Sequence, residues 1–185
     1  MNNPYKAEST LDINFPIYIK RDADEKIIEY LEQDYLCYIL TPRKFGKSSL
    51  LTRATEKLKK EYVCIYLELP SVDQEQDDNQ ENWDEIKQAK KVKTFYQTFL
   101  NKLINRLKFE LTKWGLDLGF SSIQEWNQKF LDPEPERFFS YLSDKFINKI
   151  KIIVFIDEID VVKSFPFPTD NFFKQIRELL NDKTK

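Results

Sequence analysis

The sequence contains no histidine, only two cysteines and only three glycines among its 185 residues. The lack of histidine excludes Ser-His-Asp and Cys-His nucleophiles, histidine-ligated zinc or haem, and a histidine pH switch. Any catalysis must therefore use carboxylates, lysine, arginine or a bound metal ion.

The two cysteines, Cys37 and Cys64, lie in the apolar runs YLCYIL and YVCIYL. This placement predicts small buried side chains in strands rather than reactive thiols, and it indicates a reducing compartment. The longest aliphatic and aromatic run, Ile152 to Ile156, is far shorter than the ~18 residues that a membrane span requires. We therefore expect a soluble, cytoplasmic protein that has no membrane partner.

Basic and acidic residues nearly balance, with 29 Lys+Arg against 31 Asp+Glu and a formal net charge of −2. A general polyanion binder needs clustered Lys and Arg to neutralise phosphates, so nucleic-acid binding is unsupported. Ser71 to Glu85 carries seven carboxylates and no basic residue. Residues 71–91 are therefore predicted to be a charged loop or insertion.

The pattern of apolar residues predicts one α/β domain over residues 17–185, preceded by an N-terminal arm over residues 1–16. Continuous apolar runs predict buried strands at Tyr35–Leu40, Tyr62–Leu69 and Ile152–Ile156. Apolar residues at spacings of three and four predict helices, which begin near Asp22, Gly46, Val92, Asp132 and Asn171. Asp22 and Glu25 resemble a capping box for the first helix. The order strand, helix, strand predicts a βαβ unit in a parallel sheet flanked by helices.

The loop T-P-R-K-F-G-K-S-S lies between the first predicted strand and the helix that follows it. In a phosphate-binding loop of the form G-x-x-x-x-G-K-[ST], backbone N–H groups and the positive end of the next helix bind phosphate oxygens. Lys47 would reach the β and γ phosphates, Ser48 would coordinate Mg²⁺, and Gly46 lets the backbone approach the nucleotide. Thr41 stands where the first glycine belongs, which can strain the turn or weaken phosphate binding. We predict that the nucleotide-binding residues are Thr41, Pro42, Arg43, Lys44, Phe45, Gly46, Lys47, Ser48 and Ser49.

A second motif, K-I-I-V-F-I-D-E-I-D, covers residues 151–160. Its apolar run followed by carboxylates describes a buried strand with acids at its carboxyl end, where ligands bind in open α/β sheets. We predict that Asp157 holds Mg²⁺, directly or through water, and that Glu158 polarises the attacking water. The alternative is that these acids simply begin a solvated loop.

Both motifs, with the segments IYIKRDAD, TFYQTFLNKL, PERFFSYL and FIDEIDVVKSFPFPTDNFFKQIREL, resemble the AAA-like domain family of P-loop ATPases. This family is common in cyanobacteria and is related to STAND-type signal-transduction ATPases. The resemblance runs from Tyr18 to Leu180 and implies a RecA-like or AAA-like core that binds ATP, with Arg21 near the adenine as a nucleotide contact. It also implies a later strand with a polar sensor residue, an arginine-bearing region and a helical lid. We therefore expect a P-loop NTPase fold whose C-terminal part is missing and whose sheet has a gap.

Three functions agree with these residues. The leading one is a nucleotide-dependent switch that binds Mg·ATP through Lys47, Ser48 and Asp157. Its ATP hydrolysis, catalysed by Lys47 and Glu158, would be slow or absent, and its nucleotide state would change the affinity for a protein partner or a second copy. The alternative is a degenerate, non-catalytic interaction module or gene fragment, which the departure at Thr41 favours. A small P-loop kinase is less favoured, because no acceptor site is identifiable.

Overall fold

The computed structural model describes residues 18–40, 44–72, 85–130, 135–146, 149–170 and 172–174. These residues form a mixed α/β structure that is mostly helical and contains a two-stranded parallel sheet packed against helices. Along the chain the elements are α1 (Asp22–Glu32), α2 (Lys47–Leu58), β1 (Val63–Glu68), α3 (Glu85–Lys113), α4 (Ile123–Phe130), α5 (Pro135–Phe146), β2 (Ile152–Asp157) and a 3₁₀ helix (Ile159–Ser164).

The chain forms two compact units, which divide after Cys64. The predicted N-terminal arm, residues 1–16, lies outside the described residues, so the division into an arm and one domain stays a prediction. None of the helices in the described ranges is both long and apolar enough to cross a membrane.

In the first unit, α2 packs against α1. The face of α2 predicted from helical spacing is buried and consists of Leu50, Leu51, Ala54 and Leu58. Burying each leucine side chain stabilises the unit by roughly 1.5–3 kcal/mol. The predicted helix after Gly46 is therefore confirmed.

Helix α1 has a different cap from the one that the sequence predicts. Arg21 is extended and precedes the helix, and its backbone N–H donates to the Asp24 carboxylate at 2.8 Å. Glu25, the predicted capping acid, instead pairs with Lys20 at the surface. The predicted capping box of Asp22 and Glu25 is therefore wrong by one residue. The box is formed by Arg21 and Asp24 instead.

The apolar segment Tyr35–Leu40 is not a strand, so its prediction as a buried strand is wrong. It has no regular secondary structure, and most of its side chains are exposed, with Tyr38 58% and Leu40 90% exposed. A strand needs a hydrogen-bonded neighbour, and the sheet within the described residues contains only β1 and β2. The predicted βαβ unit is consequently not formed there. Cys37 in this segment is half-buried, whereas Cys64 in β1 is buried as predicted.

Strands β1 and β2 confirm the two other predicted strands. They lie side by side in the sheet, and the N–H of Leu69 donates to the carbonyl of Asp157 at 3.3 Å just beyond β1. Both strands are rich in β-branched and aromatic residues, which fit a pleated, buried surface.

Helix α3 begins at Glu85, earlier than the sequence predicts. Residues 85–91 are helical rather than part of a charged loop, because Glu, Lys, Gln and Ala are strong helix formers even without apolar periodicity. Residues 73–84 lie outside the described ranges. Farther along, the predicted apolar face of α3 is buried at Phe95, Phe99, Leu103 and Leu107.

Two aromatic clusters lie in the core of the second unit. One surrounds Phe95 and Phe99 of α3 and includes Phe165, Phe167 and Phe172. The other surrounds the fully buried Trp126 of α4 and includes Phe120, Phe138 and Tyr141. Ring contacts of this kind contribute about 0.5–1.5 kcal/mol each beyond area burial.

Helix α4 was not predicted, although the sequence carries a signal for it. The hydroxyl of Ser122 accepts the backbone N–H of Glu125 at 3.2 Å, and the Glu125 carboxylate accepts the N–H of Ser121 at 2.6 Å. The spacing S-x-x-E at these positions is the capping-box pattern. The predicted start of the next helix at Asp132 lies outside the described residues, which show α5 from Pro135.

Candidate functional site

The end of the phosphate-loop motif forms a tight turn into α2. Lys44 and Gly46 both adopt left-handed backbone conformations, with φ of 66° and 77°. The carbonyl of Gly46 accepts the N–H of Leu50 at 3.0 Å, the first hydrogen bond of the helix. Lys47, Ser48 and Ser49 therefore occupy the first turn of α2, where backbone N–H groups point out of the helix and the helix dipole is positive.

The predicted loop residues differ in exposure. Lys44 and Phe45 are exposed, Gly46, Lys47 and Ser48 are half-buried, and Ser49 is buried. Thr41, Pro42 and Arg43 lie outside the described residues, so the effect of the missing first glycine stays a prediction.

Arg21 lies against the carbonyl side of this turn. Its Nη1 donates to the carbonyl oxygen of Phe45 at 2.9 Å, and its Nη2 donates to that of Gly46 at 3.3 Å. The structure thus brings together one residue from the IYIKRDAD segment and two from the phosphate-loop motif. The predicted contact between Arg21 and a nucleotide stays a prediction.

Tyr18 and Asp24 contact Arg21, and Arg53 lies over the ring of Tyr18. We call these four residues the Arg21 cluster. The hydroxyl of Tyr18 accepts from Arg21 Nη2 at 3.0 Å and donates to the carboxylate of Asp24. The guanidinium of Arg53 lies 3.6 Å from the centre of the Tyr18 ring, and Asp24 is only 6% exposed. Burial and the hydrogen bond to Asp24 raise the pKa of Tyr18.

Sequence reasoning missed the roles of Tyr18, Asp24 and Arg53. The sequence did carry a signal in IYIKRDAD, where Asp24 follows Arg21 by three residues. An acid at that spacing can cap the N-terminus of a helix. The contact with Arg53 links positions 35 residues apart in sequence, and a local pattern cannot reveal such a pair.

The acidic motif ends β2. Asp157 is the last residue of the strand, and Glu158 has a left-handed backbone with φ of 55° before the 3₁₀ helix. Asp157 Oδ2 accepts the hydroxyl of Tyr66, and Asp157 Oδ1 accepts the N–H of Glu158 at 2.9 Å. Glu158 is exposed, whereas Asp157 is half-buried.

The Asp157 carboxylate could still hold a metal ion. Each carboxylate oxygen has two lone pairs, so one hydrogen bond per oxygen leaves a site for coordination. Among the described residues, no three or more acidic or cysteine side chains are grouped to form a metal cage. Because Mg²⁺ commonly uses one or two carboxylates together with phosphates and water, this acid fits a Mg²⁺ that arrives with a nucleotide.

Tyr66 is another residue whose role the sequence did not reveal. Burial first, and then the hydrogen bond to Asp157, raise the pKa of Tyr66 well above the usual tyrosine value. The folded state therefore holds this proton more tightly than the unfolded state does. The resulting stabilisation is fully present below the unfolded pKa of about 10 and is lost as the pH rises above it.

We expect Tyr66→Phe to lose less stability than the parent chain as the pH rises from about 10 to about 12, because the variant lacks the phenol whose pKa is raised in the folded state. Urea denaturation over this range measures the difference. Tyr38→Phe, which removes a phenol that is 58% exposed, is the control and should follow the parent. Equal alkaline losses in Tyr66→Phe and the parent would contradict the raised pKa of Tyr66.

Comparison with known proteins gives one distant relative. The chain is 29% identical over 188 residues to an uncharacterized WD repeat-containing protein of Synechocystis sp.. The match covers 98% of this chain and 14% of that protein, so the chain spans about one seventh of the relative's length. No protein-family model matches the chain, and no solved structure matches it.

Proposed function

We propose that the chain is an ATP-binding P-loop module of the RecA-like or AAA-like class, which acts as a nucleotide-dependent switch with slow or no hydrolysis. The turn at Gly46 is the observation that carries this proposal. There the G-K-S sequence leads directly into the 12-residue helix α2, with Gly46 in a conformation that favours glycine. Such a helix start binds phosphate through N–H groups and the helix dipole.

In this proposal each predicted residue has a defined task. Lys47 neutralises the β and γ phosphates, and Ser48 coordinates the Mg²⁺ that accompanies them. Asp157 is the proposed carboxylate of the metal site, and Glu158 is the proposed orienting base for water; both roles rest on the acidic motif. ATP supplies the phosphates and Mg²⁺ supplies positive charge at the reacting oxygens.

The proposed output is a change in affinity for a protein partner or a second copy. The Synechocystis relative is named for its WD repeats, and the region matching this chain is 14% of its length. That proportion supports a small regulatory module that acts beside other parts of a larger protein. We propose such a module role for this chain.

The exposed Tyr35–Leu40 segment favours a second candidate, a non-catalytic interaction module. Contiguous exposed apolar residues mark contact surfaces in many proteins, and Leu36, Tyr38 and Leu40 are all exposed here. A module of this kind would bind its partner without any nucleotide. ATP binding therefore separates the two candidates.

The role of Ser48 provides the test. ATP should bind the parent chain more tightly in the presence of Mg²⁺ than in the presence of a chelator. In Ser48→Ala, the ratio of these two affinities should be smaller by a factor of about ten or more. Calorimetric titrations under both conditions measure it. The matched control is Thr52→Ala, which removes a hydroxyl one turn later in α2, where Thr52 donates to the carbonyl of Ser48. An unchanged Mg²⁺ effect in Ser48→Ala would contradict its role, and a parent chain that binds no ATP would favour the second candidate.

A further inference from the structure

Arg21 bridges two consecutive carbonyl groups at the end of the phosphate loop. Nη1 lies 2.9 Å from the oxygen of Phe45, and Nη2 lies 3.3 Å from the oxygen of Gly46. In a planar trans peptide the C=O and the N–H of one unit point in opposite directions. The guanidinium therefore also fixes the directions of the next two N–H groups, those of Gly46 and Lys47.

We propose that Arg21 is a positioning residue for phosphate binding, which holds the N–H groups of Gly46 and Lys47 directed away from itself and toward the anion. Arg21 acts from the carbonyl side and does not contact the nucleotide. This inference rests on the proposed binding of ATP, and it replaces the adenine contact expected from the family resemblance. Preorganised N–H groups bind an anion better because they need no reorientation on binding.

Arg21 is itself held in place by the Arg21 cluster. Its Nη2 donates to the Tyr18 hydroxyl at 3.0 Å, and its Nε lies 3.7 Å from Asp24 Oδ2. Asp24 also accepts the Arg21 backbone N–H, at the start of α1. The hydrogen bond to Tyr18 and the ion pair with Asp24 hold the guanidinium against the turn, so it can stabilise one conformation of the loop.

The approach of Arg21 to the turn is close. A Cβ built on Gly46 would lie 3.3 Å from Arg21 Nη1, which leaves little room for a side chain between the guanidinium and the turn. The planar fork of an arginine places two donor nitrogens side by side for two neighbouring carbonyls, whereas a lysine ammonium donates its three N–H groups from one nitrogen. Arg21 and Gly46 are therefore closely fitted to each other at this turn.

Inorganic tripolyphosphate is the probe that distinguishes positioning from a nucleoside contact, since it has phosphates but no adenine or ribose. If Arg21 orients the loop, Arg21→Ala lowers the affinities for Mg·ATP and for Mg·tripolyphosphate by the same factor, about tenfold or more. Calorimetry measures both affinities at a temperature where circular dichroism shows the variant folded. Loss of ATP affinity alone, or of neither affinity, would overturn the inference.

Lys20→Ala is the matched control. It removes one positive charge from the adjacent position, where Lys20 is exposed and pairs with Glu25. We expect both affinities to stay within about twofold of the parent, since surface ion pairs contribute little. A loss equal to that of Arg21→Ala would show a general charge effect and would overturn the positioning role.

Arg21→Lys keeps the positive charge, and it tests the positioning role of Arg21 if Arg21→Ala does not fold. Its tripolyphosphate affinity should remain below that of the parent, because a single ammonium nitrogen does not reproduce the two rigidly separated donor nitrogens of the guanidinium. Parent-like affinity would overturn the inference. If the parent chain binds neither ligand, both the proposed ATP binding and the inference are overturned. If the parent and Arg21→Ala bind both ligands equally well, only the inference is overturned.

Discussion

Lys47→Ala is expected to lose most of the stabilisation that Mg·ATP gives the parent chain. Lys47 is the first residue of α2, where its ammonium would neutralise the β and γ phosphates. A ligand at about one hundred times its Kd raises the free energy of unfolding by about 2.7 kcal/mol, and a hundredfold loss of affinity leaves about 0.4 kcal/mol. Thermal unfolding with and without Mg·ATP measures this change directly.

Lys57→Ala is the control for Lys47→Ala. Lys57 lies in the last turn of the same helix and is exposed, so the substitution removes one lysine charge from α2 at the end far from the proposed site. We expect the Mg·ATP shift of Lys57→Ala to equal that of the parent. A full shift in Lys47→Ala would remove Lys47 from the proposed site.

Gly46→Ala is expected to lose both stability and nucleotide binding. Gly46 has a φ of 77°, and an alanine in this left-handed region costs about 1–2 kcal/mol. Its methyl group would also lie 3.3 Å from Arg21 Nη1, so either the guanidinium or the turn must move. We expect the N–H groups of the turn to lose their phosphate-binding arrangement and the Mg·ATP shift to disappear.

Gly115→Ala separates backbone strain from the effect on the loop. Gly115 follows α3 with a φ of 67°, and a Cβ there would meet no atom within 4 Å. We expect a similar fall of about 1–2 kcal/mol in unfolding free energy, measured by urea denaturation, with the Mg·ATP shift retained. If Gly46→Ala also retained its shift, the close approach to Arg21 would not matter for binding.

Local sequence patterns correctly predicted the helices and strands that depend mainly on neighbouring residues in the chain. Helix α2 follows a glycine turn and has an apolar face of period 3.6, and β2 is a continuous apolar run that ends in acids; both are found where expected. The Tyr35–Leu40 run has the same apolar character, yet it forms no strand. Pairing depends on a neighbouring strand, which composition cannot supply.

Prediction of the candidate site is limited in the same way, because local patterns do not show contacts between residues that are far apart in the sequence. The candidate residues Gly46 and Ser48 were predicted from the spacing of one motif, because a phosphate-binding turn is built from consecutive residues. The bond between Tyr66 and Asp157 joins residues 91 positions apart, and the contact of Arg21 with Phe45 joins residues 24 positions apart. Such pairs depend on the packing of whole elements, so no spacing rule could have predicted them.

The most direct test of the central claim, that the chain binds ATP through its phosphates, is a calorimetric titration of the parent chain with Mg·ATP and, in parallel, with adenosine. We expect saturable binding of one Mg·ATP per chain and no measurable binding of adenosine, because phosphate contacts supply most of the affinity. Absence of Mg·ATP binding, or equal binding of adenosine, would contradict the account.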